Sequence, residues 1–472
     1  MRPDPWAPPA EAVAFHGGRV LALGSRRSVR ARAGARAHVI DCGGATVLPG
    51  LVDPHLHLFG LAVREQHLDL SGVQRASAVL AQVSARARTL APGRWVRGEG
   101  LDEHALDRLP SAAELDAAAP RHPVRLRHRS RHASLLSLGG RAWLARRGIV
   151  LPDHGGGLVV GHDATISRAL GPLSGARLAR GLVRVGRELS ALGVTSVGDA
   201  TPRSRAGWAP LVALVRAGRF APRVVAMRPV GAPRWSPHGR VVPGPVKLLV
   251  EEGPDGLVPS GEEMARLVAR AARAGDAVAV HCTGVASLVA ALAAFAALPA
   301  RLRRRPHRLE HVGECPPALI GEIARLGLTV VTNPAFVYWR GDVYRRETPR
   351  ARHGWLYRAH TLAAAGIPLA AGSDAPVVAP DPWRTMAAAR NRRTRAGRPL
   401  GGRERLAARD ALALVTTGAA AALGRLELGR LVPGSVADAV VVPEDPLRIG
   451  AEAVAALRPV LTIADGRIAW RG

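Results

Sequence analysis

The chain contains almost no lysine. Of its 66 basic residues one is lysine, Lys247, and all the others are arginine. Arginine is effectively always protonated, whereas a buried lysine can lose its proton and act as a base, a nucleophile or, after adding carbon dioxide, a metal ligand. Because arginine replaces lysine everywhere else in the chain, the amine at position 247 suggests a role as a base, a nucleophile or a metal ligand. Chance survival is the alternative, and Lys247 alone does not decide between the two.

The sequence is also poor in cysteine and in aromatic residues. Its three cysteines are scattered and form no C-x-x-C pair, which argues against a disulfide framework or a thiolate zinc site and favours a reducing compartment. Aromatic residues make up 4% of the chain, so that alanine, valine and leucine must form most of the core. We find no apolar run of membrane-spanning length and no signal-peptide stretch. We therefore expect a cytoplasmic protein without a membrane partner.

The formal charge of +29 is the feature that would suit an anionic partner such as nucleic acid. The arginines, however, are spread along the chain, without a basic tail or interleaved aromatic residues for base stacking. The short cluster at residues 301–305 is typical of a solvated loop. Biased composition explains the charge better than nucleic-acid binding, which is kept as a non-catalytic alternative.

Short apolar runs alternate with alanine-rich helical stretches through most of the chain. Runs of this length without polar alternation are typical of buried parallel strands. The predicted strands include residues 194–197, 223–227, 246–250, 277–280, 328–331 and 367–371, and predicted helices include residues 317–326 and 356–365. Repeated βα units of this number predict an α/β fold with a (β/α)8 barrel.

The two ends of the chain have a different pattern, in which short strands are separated by glycine turns. We predict that both ends pair into one small β-sandwich. The predicted domains are residues 1–48 as the N-terminal part of the sandwich, 49–424 as the barrel with an insertion around 60–190, and 425–472 as the C-terminal part of the sandwich.

Six polar side chains fall where predicted barrel strands end, and they are His55, His57, Lys247, His281, His311 and Asp374. The first two are two residues apart on one strand and so face the same way. Gaps of 34 and 30 residues separate Lys247, His281 and His311, about one βα unit each. Barrel enzymes place their chemistry at these strand ends. Imidazole together with carboxylate predicts a metal site that suits zinc, and also manganese, iron or nickel.

The ordered set of motifs resembles the amidohydrolase superfamily, in its family 3 (YtcJ-like) branch. The resemblance covers nearly the whole chain and rests on the Pro-Gly-x-x-Asp-x-His-x-His signature at 49–57, Val-Lys at 246–247, Arg-Leu-Glu-His at 308–311, Gly-Ser-Asp at 372–374 and Gly-Ser-Val-Ala-Asp at 434–438. It implies two divalent metal ions, one bound by His55 and His57 and the other by His281 and His311. Lys247, as its carbamate, would bridge them.

The resemblance also implies hydrolysis of a non-peptide C–N bond in a small molecule: an amide, a formamide or a cyclic amide. Asp374, beside the metal ions, would take a proton from the attacking water and pass it to the leaving nitrogen. His132 is the candidate for polarising the carbonyl oxygen, from its place in a segment that resembles the family's strand with a substrate-side histidine. Tyr338 and Trp339 are predicted to line the substrate pocket, the alternative being that they pack beneath a loop.

Two other functions are weighed against this one. A mononuclear, deaminase-like member would usually do without the bridging Lys247, and a nucleic-acid-binding protein on a retired barrel should have lost ligands, of which none is missing. In segment 125–132, strand alternation would put four arginines on one face, and a solvent-facing basic edge is favoured over a clamp for a substrate carboxylate. Glu99 and Asp199 are candidates for supporting the site. A homo-oligomer is compatible with the sequence.

Overall fold

The computed structural model describes residues 4–64, 67–103, 105–128, 133–152, 156–171, 175–253 and 256–472. Its strands are, in chain order, β1 (Ala12–His16), β2 (Arg19–Gly24), β3 (Thr46–Pro49), β4 (Leu51–Leu56), β5 (Leu68–Asp69), β6 (Val96–Leu101), β7 (Val124–His128), β8 (Ala133–Leu136), β9 (Leu158–Val160), β10 (Val194–Asp199), β11 (Arg223–Arg228), β12 (Val241–Leu248), β13 (Glu251–Gly253), β14 (Gly256–Val258), β15 (Val278–Cys282), β16 (Arg308–His311), β17 (Thr329–Thr332), β18 (Leu369–Ala371), β19 (Ala439–Val442), β20 (Leu461–Ala464) and β21 (Arg467–Arg471).

The α-helices are α1 (Arg26–Ala33), α2 (Leu58–Val63), α3 (Ala76–Arg88), α4 (Ala112–Ala118), α5 (Leu138–Ala145), α6 (Asp163–Leu170), α7 (Gly175–Ala191), α8 (Ala209–Arg216), α9 (Gly261–Arg273), α10 (Val285–Ala296), α11 (Ala300–Arg303), α12 (Ile320–Arg325), α13 (Pro334–Glu347), α14 (His360–Ala364), α15 (Pro382–Asn391), α16 (Ala408–Leu414), α17 (Thr417–Ala422) and α18 (Ala451–Ala456). Short 3-10 helices are Arg205–Trp208, Pro317–Leu319, Arg350–Trp355 and Gly402–Glu404. No helix within the described ranges combines the length and apolar character needed to cross a membrane. The chain forms two compact units, Met1–Leu58 with Leu182–Gly472, and Phe59–Gly181.

Eight parallel strands of the first unit form one sheet in the order β18-β17-β16-β15-β12-β11-β10-β4. Its two edges meet in a seam, where the backbone N–H of Asp374 donates to the carbonyl of His55 at 2.8 Å. A side chain at Gly372 would clash there, because its Cβ would lie 2.5 Å from the Cβ of His55. The predicted (β/α)8 barrel is confirmed.

The barrel strands are buried on both faces, which explains why they have no polar alternation. On the outer face, Val246 and Val280 pack against residues of α9 and α10 such as Val268. On the inner face, Val52 and Val331 pack against alanines of α17. The predicted strand runs overlap β10, β11, β12, β15, β17 and β18.

Helix α9 shows how the covering helices are encoded. Ser260 caps its first turn, where the hydroxyl oxygen accepts a hydrogen bond from the backbone N–H of Glu263 at 3.3 Å. Acidic residues occupy the first turn and arginines the last, as the helix dipole favours. The buried positions recur at helical spacing and are Met264, Val268, Ala271 and Ala272. One apolar stripe therefore faces the sheet.

Both chain ends contribute to one small β structure. Strands β21, β20, β19 and β3 form a four-stranded sheet in which Thr46–Pro49 of the N-terminal end pairs with Ala439–Val442 of the C-terminal end. The hairpin β1–β2 packs on this sheet, and the shared core includes Val20, Val47 and Leu461. The predicted β-sandwich built from both ends is confirmed.

Three stretches differ from the predicted elements. Residues 26–33 form helix α1 rather than a strand, because Ser25 caps it through a hydrogen bond from the N–H of Ser28 at 3.2 Å. Residues 431–435 form a turn, in which Gly434 has a φ of +87°. Helix α14 begins later than residue 356, since the intervening Tyr357 is buried with a φ of +43°.

The second unit, which lies within the predicted insertion around 60–190, has its own five-stranded sheet in the order β5-β6-β7-β8-β9. One face of the sheet packs apolar residues such as Val124 and Leu126 against α3 and α4. On the other face Arg125 is 7% exposed and, with Arg127, forms an ion pair with Asp163. The predicted solvent-facing basic edge is therefore wrong for Arg125, because an internal carboxylate holds it. Residues 129–132 lie outside the described part of the chain.

Candidate metal centre

Three of the predicted ligands meet at the barrel seam. Donor atoms of His55, His57 and Asp374 all lie within 4.8 Å of one another. The Nε2 atom of His57 is 3.1 Å from Oδ1 of Asp374, and Nε2 of His55 is 3.4 Å from the same oxygen. Two imidazole nitrogens and a carboxylate converging on one point are a donor set that suits a divalent transition metal.

The other two predicted histidines lie beside this group. His281 is on β15 and His311 ends β16, and their ring centroids are 4.6 Å apart. The ring of His311 also lies 4.7 Å from that of His55. Adjacent barrel strands thus bring imidazoles from three places in the sequence into one cluster.

The backbone of His311 is turned to make this arrangement. Successive residues of a strand face opposite sides, so His311 and its neighbour Glu310 should not both reach the barrel interior. His311 has a φ of +72°, in the left-handed region, and Asp374 has a φ of +56°. A non-glycine residue held there costs on the order of 1–3 kcal/mol, and such strain is concentrated at functional sites.

Hydrogen bonds fix how His57 and His311 are oriented. The Nδ1 atom of His57 is 2.7 Å from the hydroxyl of Thr201, and Nδ1 of His311 is 2.8 Å from Oδ1 of Asn333. The amide of Asn333 donates from Nδ2 to the carbonyl of Gly372 at 2.8 Å, so its oxygen faces His311 as an acceptor. In the His311 ring Nε2 is left for a metal, and in the His57 ring Nε2 faces Oδ1 of Asp374 at 3.1 Å.

Asp199 supports this side of the centre, as its position at a strand end suggested. Its Oδ1 accepts a hydrogen bond from the N–H of Thr201 at 2.8 Å, and its Oδ2 accepts one from the N–H of Leu58 at 3.0 Å. The carboxylate therefore sets the loop that carries the Thr201 hydroxyl. Glu99, the other candidate, belongs to the second unit and forms a hydrogen bond with His67 at 3.0 Å.

Lys247 lies on β12 and is 5% exposed. Its Nζ makes no hydrogen bond to any part of the chain that the structure describes. Burial lowers the pKa of Lys247, as does the nearby Arg308, while Glu310 and Asp374 oppose the shift. A buried amine without a hydrogen-bond partner in the described part of the chain is uncommon and calls for a structural explanation.

The electrostatics keep His281, His311 and Asp374 in their metal-binding protonation states. Burial, reinforced by His55, lowers the pKa of His311 to about 4, and burial with the neighbouring His311 holds the pKa of His281 well below its usual value. Both imidazoles are neutral at pH 7. Burial would raise the pKa of Asp374, but hydrogen bonds from His55 and His57 outweigh it and hold that pKa well below normal. Neutral imidazoles and an ionised carboxylate are the ligating forms.

The sequence did not indicate that Glu310 belongs to this centre. It is 0% exposed, its Oε2 is hydrogen-bonded to Nδ1 of His55, and Arg308 pairs with its Oε1 at 2.5 Å. Burial would raise the pKa of Glu310, yet Arg308, His55 and Lys247 hold it well below its usual value. The signal lay in the Arg-Leu-Glu-His motif, but strand alternation assigns only one of Glu310 and His311 to the interior.

Among the described residues, neither Tyr338 nor Trp339 shows a contact with the ligands. His132 lies outside the described residues. Tyr338 and Trp339 are on α13, with Arg384 4.2 Å from the ring centre of the first and Arg395 5.5 Å from that of the second. Their place in a substrate pocket stays a prediction.

Tyr357 was not predicted as a site residue, yet Asp374 influences its pKa. It is buried, its hydroxyl is 3.0 Å from that of Tyr344, and its ring packs 5.4 Å from that of Phe336. Burial raises the pKa of Tyr357 well above its usual value, and Asp374 adds to that shift. The phenol is therefore a neutral group within electrostatic reach of Asp374.

Comparison with known proteins agrees with this centre. Residues 38–469 match the sequence profile of the amidohydrolase family. Because the match spans most of the chain, the protein belongs to the amidohydrolase family and is a metal-dependent amidohydrolase that acts on carbon–nitrogen bonds. The resemblance to the YtcJ-like branch is thereby confirmed.

Two relatives match over nearly their full length. The N-substituted formamide deformylase of Arthrobacter pascens is 27% identical, over 97% of this chain and 94% of the relative. The putative amidohydrolase YtcJ of Bacillus subtilis is 26% identical, over 98% and 96%. Among solved structures, a metal-dependent hydrolase from Pyrococcus horikoshii superimposes with a TM-score of 0.77 at 23% identity, over 93% of this chain and 95% of that chain.

Proposed function

We propose that the protein hydrolyses an amide, a formamide or a cyclic amide with two divalent metal ions, zinc by preference. His55 and His57 would hold one ion and His281 and His311 the other, with Asp374 beside the first pair. The observation that carries this proposal is the buried Nζ of Lys247, which has no hydrogen-bond partner among the described residues although it lies among these ligands. The name of the formamide deformylase relative supports a formamide as the first substrate to test.

Lys247 acts in this proposal as a carbamate bridge. The lone pair of its neutral amine adds to the carbon of carbon dioxide, the new N–C bond forms, and one proton leaves the nitrogen. That proton passes to solvent, and the product is an anionic carboxylate-like group in place of the neutral amine. Arginine has no lone pair to offer at neutral pH, which accounts for a single lysine in a chain that otherwise uses arginine.

The protein's own groups then move the proton. Divalent metal, when bound, lowers the pKa of water and polarises the substrate carbonyl. Asp374 is ionised and lies between the two Nε2 atoms of His55 and His57, so its carboxylate can accept the proton of the attacking water. The same oxygen can return that proton to the nitrogen as the C–N bond breaks. His132 remains our candidate for the second contact to the carbonyl oxygen.

The first experiment is metal analysis of protein purified without chelator and with bicarbonate present. We expect about two zinc ions per chain and release of formate from N-substituted formamides. If manganese, iron or nickel were found at the same stoichiometry, the assignment of zinc would change and the proposed mechanism would stand. One ion per chain together with ammonia release from an amino-heterocycle would favour the mononuclear deaminase-like alternative.

Substitution of the lysine tests the bridge separately. Lys247→Ala should lose metal and activity, and added propionate should restore both, because a small carboxylate can occupy the place of the carbamate. Lys247→Arg should not be restored by propionate, since the longer side chain fills that place. Failure to bind any metal, with nucleic-acid binding that persists above about 0.2 M salt, would instead support the non-catalytic alternative.

A further inference from the structure

The support of His55 differs in kind from that of the neighbouring histidines. His57 and His311 rest on neutral acceptors, the hydroxyl of Thr201 and the amide oxygen of Asn333. His55 instead donates from Nδ1 to the carboxylate of Glu310, a residue with no exposed surface. This contact fixes the tautomer of His55 and leaves its Nε2 facing Oδ1 of Asp374 at 3.4 Å.

Glu310 forms an ion pair with Arg308, which lies two residues earlier on the same strand. The Nε atom of Arg308 is 2.5 Å from one carboxylate oxygen, and its Nη2 is 3.3 Å from the other. This two-pronged geometry leaves the carboxylate little freedom to rotate. Arg308 is 1% exposed, so no water competes for the pair.

The remaining donors of Arg308 reach the strand that carries His55. Its Nη2 donates to the carbonyl of Pro54 at 2.8 Å, and its Nη1 donates to the carbonyl of Ala422 at 2.8 Å. The guanidinium therefore fixes both the backbone immediately before His55 and the carboxylate that orients the His55 ring. Both sets of hydrogen bonds from Arg308 therefore restrict the position of His55.

We propose that Glu310, locked by Arg308, is a positioning residue that holds the His55 imidazole as a pre-oriented and strongly basic metal ligand. The proposal rests on the proposed function, because it requires His55 to bind metal. A carboxylate partner raises the basicity of a ligating imidazole more than a neutral acceptor does, and loss of such a partner typically weakens metal binding about 10- to 100-fold.

The test is metal affinity rather than turnover. Metal-free wild type and Glu310→Gln are titrated with Co²⁺, and the visible spectrum reports the ligand geometry while competition with a chelator gives Kd. We expect about a 10- to 100-fold rise in Kd for the tighter site and an altered cobalt spectrum. Glu310→Asp, which keeps the charge but shortens its reach, should restore part of the affinity.

A second buried pair gives a matched control. Asp276 pairs with Arg228 at 2.5 Å, and Arg228 also donates to the carbonyls of Gly244 and Ala232, yet none of these contacts involves a proposed ligand. Asp276→Asn should lower thermal stability and leave the cobalt Kd and spectrum unchanged. A role of Glu310 in stability alone would make the two variants behave alike.

The outcomes separate this proposal from the function on which it rests. A wild type that binds no metal would overturn both. A wild type that binds metal, with Glu310→Gln matching it in Kd and in spectrum, would overturn the positioning role and leave the proposed function intact. Should Glu310→Gln not fold because Arg308 is left unpaired, the double variant Arg308→Met with Glu310→Gln removes both charges, and the same weakened binding is expected of it.

Discussion

Two buried arginine–carboxylate pairs of the barrel unit are built alike. Arg308 pairs with Glu310, Arg228 pairs with Asp276, and each arginine also donates to two backbone carbonyls. Both guanidinium groups are at most 2% exposed. Judged by the hydrogen bonds of the two arginines alone, the two pairs would be assigned the same role.

Strand register separates them. Arg308 is aligned with Ala279, which is aligned with Lys247, so Arg308 lies on the inner face of the barrel. Arg228 is aligned with Val246, one residue before Lys247, and lies on the outer face under the helices. A shift of one residue in strand register thus decides whether such an ion pair supports the proposed metal ligand His55 or only the fold.

The largest expected effect on stability comes from removing the arginine of each pair separately. Arg308→Met removes the guanidinium partner of the buried Glu310 and should lower the free energy of unfolding by about 3–5 kcal/mol. Arg228→Met should cost less, because Asp276 keeps a second partner, Arg234, at 2.7 Å. Only Arg308→Met should also weaken zinc binding. Urea unfolding gives the first quantity and chelator competition the second; weakened zinc binding in both variants would remove the distinction between the faces.

Removing the metal allows the two pairs to be compared by how much added zinc stabilises each variant. A metal that binds only the folded state stabilises it by about 2.7 kcal/mol at a concentration 100 times its Kd. Wild type and Asp276→Asn should therefore gain the same increment when zinc is added to the metal-free protein. Glu310→Gln should gain less at the same zinc concentration. The difference is measured by thermal unfolding with and without zinc.

A smaller effect is expected where the partner of the histidine is neutral. Thr201→Ala removes one hydroxyl contact to His57, which should cost about 0.5–1.5 kcal/mol, or up to about tenfold in metal Kd. The loss should be less than for Glu310→Gln in the same titration. An equal or larger loss of metal affinity in Thr201→Ala would mean that a charged supporting residue stabilises metal binding no more than a neutral one does.

The smallest effect should come from a neighbour of a ligand that faces outward. Cys282 follows His281 directly but packs in the outer core with Val280 and Leu288. Cys282→Ala should lower the free energy of unfolding by about 1 kcal/mol and change the cobalt spectrum very little. Wild-type stability combined with altered metal binding would contradict the assignment of faces.

The predictable elements are those in which the apolar pattern, the length of the segment and the residues at its end all indicate the same structure. Apolar runs ending in histidine or aspartate predicted the barrel strands and the clustering of His55, His57 and Asp374, because parallel strands end at one edge of the sheet. Turn-rich ends predicted the β-sandwich. Helix α1 was missed because an arginine-rich stretch has no apolar stripe, and only the cap at Ser25 marks where it begins.

The supporting residues could not be predicted, for a different reason. Period-2 alternation cannot anticipate the left-handed turn at His311, which brings both His311 and Glu310 into the site. Thr201 and Asn333 are common residue types whose role depends on which loop packs beside which ring. Those contacts are long-range in sequence and appear only in three dimensions.

The seam of the barrel sets the order in which this centre can be assembled. His55 and Asp374 come from opposite ends of the barrel sequence, and the hydrogen bond that closes the sheet runs from the backbone of one to the backbone of the other. A nascent chain that has not yet reached residue 374 has neither a closed barrel nor a full set of ligands. Assembly of the cluster of His55, His57 and Asp374 is thus confined to the nearly finished chain, and a product truncated before residue 374 would lack it.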